Sequence, residues 1–141
     1  MLSSYKVFID ATSRIKYSSF YIKGLYHVFG KKNVSFSNKY FDDLKRKEQP
    51  YSYDHYMAFV IIKPDNITEK IIIDFCDPII VQEKAYEWCD KYAKINFNEL
   101  LTDKKFHAKM ISIPPGFGIK IWGLWETIFY CGCNFLKCKL A

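Results

Sequence analysis

The sequence predicts an α/β domain three layers deep, with a mostly parallel sheet at its centre. Two observations carry this. Short apolar runs at 7–9, 57–62 and 71–73 (VFI, MAFVII and III) show no polar alternation, the pattern of strands buried on both faces. Stretches 20–29 and 79–89 instead place apolar residues on one stripe at helical spacing, so strand and helix alternate as they do where crossover helices join parallel strands. At 141 residues the chain suits one such domain with a real core.

The first strand is expected over 5–11, YKVFIDA, where Asp10 closes the apolar run. Residues 12–18 are polar and basic and read as a loop. Ser18 and Ser19 can then cap a helix over 20–29 that turns Phe20, Leu25, Val28 and Phe29 to the sheet, with Gly30 as its stop. A second strand is expected at 33–37, a short amphipathic turn at 40–47 and a turn around Pro50 at 49–53. The strand 57–62 ends at Lys63-Pro64-Asp65-Asn66. Stretch 70–96, KIIIDFCDPIIVQEKAYEWCDKYAKIN, then holds a complete βαβ unit: a strand at 71–73, a helix over 79–89 and a strand at 92–96. A polar connection leads to a last strand at 109–113, stopped by Pro114-Pro115-Gly116-Phe117-Gly118. Residues 122–137 read as a largely apolar, aromatic helix. The boundaries drawn are therefore an α/β domain over 1–121 and a terminal helix over 122–141 leading toward a second domain outside this sequence.

Composition narrows the function classes. A hydrophobic content of 50% with 18% aromatic residues excludes a disordered chain. A formal charge of +6 suits an anionic partner, and either a membrane surface in peripheral contact or a nucleotide is compatible with it, although scattered lysines more often make a solvated surface. Nucleic acid is not expected, because no recognition motif accompanies the scattered lysines. Five cysteines, an odd number, and the lack of a long apolar leader argue for a reducing cytoplasmic compartment. Cys131-Gly-Cys133 lacks the C-x₂-C spacing and neighbouring histidine of a zinc site. Residues 10–16 contain no glycine and 114–118 lack both phosphate-loop spacings, so no nucleotide cofactor is expected.

In open α/β sheets ligands collect beyond the carboxyl ends of the strands. That criterion selects Asp10, Asp74, Asp77, Lys94 and Asn96. A carboxylate there can take a proton from a hydroxyl, which makes Asp10, Asp74 and Asp77 candidate general bases; the same aspartates serve equally well to end a strand and begin a helix. Cys76 lies between acidic residues, which oppose thiolate formation, and reads as structural. His55 could serve as a base too, although it precedes the 57–62 strand, the wrong end of a parallel strand for a site unless the preceding loop folds back.

The order of these segments resembles the N-terminal, acceptor-side half of the GT-B glycosyltransferases of bacterial surface-polysaccharide synthesis. The segments that carry it are YKVFIDA, KIIIDFCDP, CDKYAKIN and MISIPPGFGIK followed by an aromatic helix. The resemblance implies a Rossmann-like domain that binds a saccharide or lipid-linked acceptor, with acceptor-side roles for Asp10, Asp74, Asp77, Lys94 and Asn96; it does not assign the base, and Asp10 and Asp77 are taken as the catalytic residues, with Asp74, Lys94 and Asn96 binding substrate. The nucleotide-sugar would be held by a second domain, because no donor motif is present here. It also implies a place on the inner face of the membrane. The other reading is a non-catalytic interaction domain that meets a membrane surface or partner protein through its basic and aromatic face. In either case the terminal helix is expected to drive self-association into a homo-oligomer.

Overall fold

The computed structural model describes residues 4–49 and 55–140. Most of the turn expected around Pro50 lies outside them. Six strands form one sheet: β1 (Lys6–Asp10), β2 (Val34–Ser37), β3 (Tyr56–Ile62), β4 (Thr68–Asp74), β5 (Lys91–Lys94) and β6 (Met110–Ser112), in the order β2-β1-β3-β4-β5-β6. The sheet is mixed and mostly parallel. β1 is parallel to β2, and β4, β5 and β6 are mutually parallel, while β3 runs antiparallel to both its neighbours. The expected central strands are central, but the middle one is reversed. The cause is the short link between β3 and β4, where the Lys63 N–H bonds the Ile67 carbonyl at 2.9 Å and Asn66 turns at φ 62°. A parallel crossover needs about a dozen residues or more, so this link can only make a hairpin.

Three helices complete the fold: α1 (Ile15–Phe29), α2 (Glu83–Trp88) and α3 (Leu124–Leu140). α1 starts at Ile15 rather than at position 20. Ser18 and Ser19 are buried inside it instead of capping it, and the Ser19 hydroxyl accepts the Ile119 N–H at 3.0 Å, tying the later chain to the helix. Val28, expected to face the sheet, is exposed, while Ile22 is fully buried. α2 is shorter than expected because the Gln82 N–H is taken by the Tyr92 hydroxyl at 3.1 Å, which holds the preceding residues out of the helix.

The core divides into two clusters, and β3 feeds both by its period of two. Met57 and Phe59 join Val7, Ile9, Ile73 and Ala93 beneath Ile22 and Phe29 of α1. Tyr56, Ala58 and Val60 join Ile72 and Tyr92 beneath Ala85 and Trp88 of α2, with Leu44 of the 3-10 turn Asp42–Leu44 and Phe41 just before that turn beside them. Each large side chain buried in this way contributes roughly 1.5–3 kcal/mol.

α3 is attached by its root. Trp122 is buried in the first cluster, donates its indole N–H to the Tyr26 hydroxyl at 3.2 Å and stacks on Tyr130 with ring centroids 4.8 Å apart. Glu126 pairs with Lys31 and accepts the Gly123 N–H at 3.1 Å, half of a capping box. Beyond these contacts Leu124, Trp125, Ile128, Phe129, Phe135 and Leu136 are all 56–80% exposed. No helix among the described residues is long and apolar enough to cross a membrane.

Candidate functional site

Strand alternation decides which side chains meet. Ile9 and Ile73 point into the first cluster, so Asp10 and Asp74 point to the opposite face. Lys94, two residues after Tyr92, shares that face, and register sets Asp74 opposite Lys94. Three of the five expected residues thus gather at one end and on one face of the sheet, with β3 between Asp10 and Asp74.

Both aspartates are locked. Asp10 is buried, with one carboxylate oxygen accepting the Thr12 N–H at 2.9 Å and the Thr12 hydroxyl at 2.7 Å. Its other oxygen lies 2.8 Å from Nε of Arg46, itself buried. The Arg46 guanidinium stacks over the Tyr56 ring, 4.1 Å from its centroid, and donates to the Tyr56 carbonyl at 3.2 Å. The Tyr56 hydroxyl in turn donates to Gln49 Oε1 at 2.9 Å.

Asp74 and Lys94 have side chains 0% exposed and lie 3.3 Å apart. The Tyr92 hydroxyl donates to the same Asp74 oxygen at 2.5 Å, and the Cys76 N–H fills the other at 2.8 Å. Burial pushes the Asp74 carboxyl above the usual carboxylate range, against the pull of Lys94 and the hydrogen bonds. Burial, reinforced by the Asp74 charge, likewise pushes the Tyr92 hydroxyl and the Cys76 thiol up. None of these groups is poised as a nucleophile.

The network also fastens the loop between β4 and α2. Lys94 donates to the Cys76 carbonyl at 3.1 Å, Asn96 donates to the Asp77 carbonyl at 2.7 Å, and Tyr92 holds the Gln82 N–H. Asn96 and Asp77 are exposed, and Asp77 is the expected candidate whose carboxylate reaches solvent. His55 belongs here too. Because β3 is antiparallel, its start lies beside the carboxyl ends of β1 and β4, where His55 Nδ1 sits 3.3 Å from Gln82 Nε2 and its carbonyl accepts the Phe75 N–H at 3.0 Å. Its expected place at the wrong end is corrected by the reversed strand.

Sequence reasoning missed Arg46, Tyr56, Gln82 and Tyr92. Arg46 comes from a 3-10 turn, Arg46–Glu48, far along the chain from Asp10. Elsewhere on the face, a cavity of about 430 Å³ is lined by Asp43, Lys45, Lys70, Lys84, Glu87 and Trp88, a mixture of charges without a dominant sign. Among the described residues no group of His, Cys, Asp or Glu can hold a metal ion. No family model, curated protein or solved structure matches this chain.

Proposed function

We propose that this chain is a docking domain: an α/β body that presents α3 as its working surface. The observation that carries the reading is the direction of α3's apolar stripe. At 100° per residue Leu124, Trp125, Ile128, Phe129, Phe135 and Leu136 fall within an arc of roughly 140°. Glu126 and Tyr130, which touch the body, lie on the opposite side. The stripe exposes on the order of several hundred Å² of apolar surface, beyond the scattered exposure normal for a monomer. The body behind it is best read as a three-layer Rossmann-like domain, supported by helices in both core clusters.

Sedimentation and vesicle co-sedimentation, run side by side on the wild type and a Trp125→Ser/Phe129→Ser variant, test this. Association of either kind that the variant loses is the expected result. A wild-type chain that stays monomeric and free at high concentration in both assays overturns the reading.

A second reading, the acceptor-side domain of a glycosyltransferase working in the cytoplasm at the membrane face, is favoured by one observation: Asp10, Asp74 and Lys94 gather at one sheet end with Asp77 and Asn96 above. Against it, Asp10 and Asp74 are held in buried ion pairs. On this reading Asp77 is the base. Asp77→Ala, in a protein supplying the donor domain, then lowers turnover by about 10²-fold or more with unchanged stability; unchanged turnover removes the reading.

A further inference from the structure

The outward stripe of α3 needs an occupant, and the helix itself narrows the choice. A two-helix seam uses apolar residues at about two positions in seven, a narrow line along the axis. The stripe here spans an arc too wide for that seam, and Lys139 falls near the middle of it, its ammonium 5.7 Å from the Phe135 ring. In a pair of copies Lys139 would enter the seam as a buried charge. At a lipid interface its stem lies along the apolar surface while the ammonium reaches the headgroups.

Charge points the same way. Within 124–140 the sequence has one acidic residue, Glu126, which Lys31 already neutralises, against Lys137 and Lys139. Lys120 at the root is exposed, as are Lys23 and Lys32 on the adjoining α1 and its exit turn. A second copy would bring another +6 chain against this one, whereas an anionic bilayer is attracted by it. Length agrees as well. Seventeen residues make a helix of about 26 Å, which fits in the plane of an interface with its apolar arc among the acyl chains.

We infer that α3 lies in the interface of an anionic membrane, burying Trp125, Phe129 and their neighbours while lysines meet the lipid phosphates. This rests on the docking reading and names its partner.

The chain carries its own reporter. Of its three tryptophans, Trp88 is 8% exposed and Trp122 4%, while Trp125 is 80% exposed. Purified full-length protein is mixed with phosphatidylcholine vesicles or with vesicles enriched in phosphatidylglycerol. The expected result is flotation with the anionic vesicles, a blue shift of tryptophan emission and quenching by brominated acyl chains. Trp125→Ser/Phe129→Ser weakens binding on the order of 10²-fold with an unchanged urea midpoint, and Lys120→Glu/Lys139→Glu removes the preference for anionic lipid. If the wild type ignores both vesicle types but dimerises through residues that Trp125→Ser/Phe129→Ser removes, the occupant is a second copy: the lipid inference falls and the docking reading stands. If it neither floats nor associates, both fall. Binding that survives the double substitution also overturns the inference.

Discussion

Two regions of this molecule invert the usual distribution of polarity, and they do so differently. At the carboxyl ends of β1, β4 and β5, charged groups are inside: Asp10, Arg46, Asp74 and Lys94 are all buried. On α3, aromatic and aliphatic groups are outside. The buried charges find their partners within the chain, from Thr12, Tyr56, Tyr92 and the Cys76 backbone. The exposed stripe lies open to solvent, and its ring contacts, Phe129 with Tyr130 and Phe135 with Lys139, are with its own helix. A buried charge that is paired from within speaks of architecture, while apolar surface left without cover speaks of something outside the molecule.

Removing one member of the strand-end pairs is the severest test of that contrast. Lys94→Met leaves Asp74 buried opposite an alkyl chain, and urea unfolding is expected to show a loss of about 3–5 kcal/mol. Asp74→Asn/Lys94→Met removes both charges and should recover most of that loss. Asp10→Ala takes away the carboxylate partner of Arg46 while its contacts with Tyr56 remain, so it lowers stability by less than Lys94→Met, as well as any activity. A mild effect of Lys94→Met would mean that the network is not what holds this end of the sheet.

A smaller effect appears in the pH dependence. The folded-state pKa of Asp74 is raised by burial, so its contribution to stability is fully present below the ordinary carboxylate range and is lost as pH rises through the raised value. Relative to Asp74→Asn, the wild type therefore gains stability as pH falls from neutral toward that range. Parallel denaturation curves at several pH values check this. A gap that moves the other way would mean that Lys94 outweighs desolvation.

The smallest effect belongs to α3. Trp125→Ser should change the stability of the isolated chain by no more than about 0.5 kcal/mol, the scale of an exposed substitution. A loss comparable to that of Lys94→Met would show that the stripe packs on the body, and the contrast between the two regions would dissolve.

Much of this was legible in the chain. The unalternating runs gave the three central strands, and the 70–96 stretch gave the β4-α2-β5 unit in order. The reversal of β3 was legible too, since the few residues between MAFVII and KIII cannot carry a crossover, yet the runs alone give no direction. Tyr92 could have been found from Lys94 by the two-residue period of a strand. Arg46 could not. Its approach to Asp10 depends on two consecutive 3-10 turns joined by Lys45 at φ 48°, and no local pattern marks such a long-range pairing. The site residues were chosen by position at strand ends, which says where a side chain sits but not whether a partner has already claimed it.

The hairpin between β3 and β4 also sets an order of events in folding. Its two strands are the middle of the sheet and are joined by a closed turn of local contacts, so they can zip together on the 1–10 μs scale of isolated hairpins. β5 then adds through α2, again by a short excursion of chain. β1 must instead close a loop of more than forty residues to reach β3, and loop closure of that kind is a later and slower step. The Asp10–Arg46 pair forms only once β1 has arrived beside a sheet that is already half built.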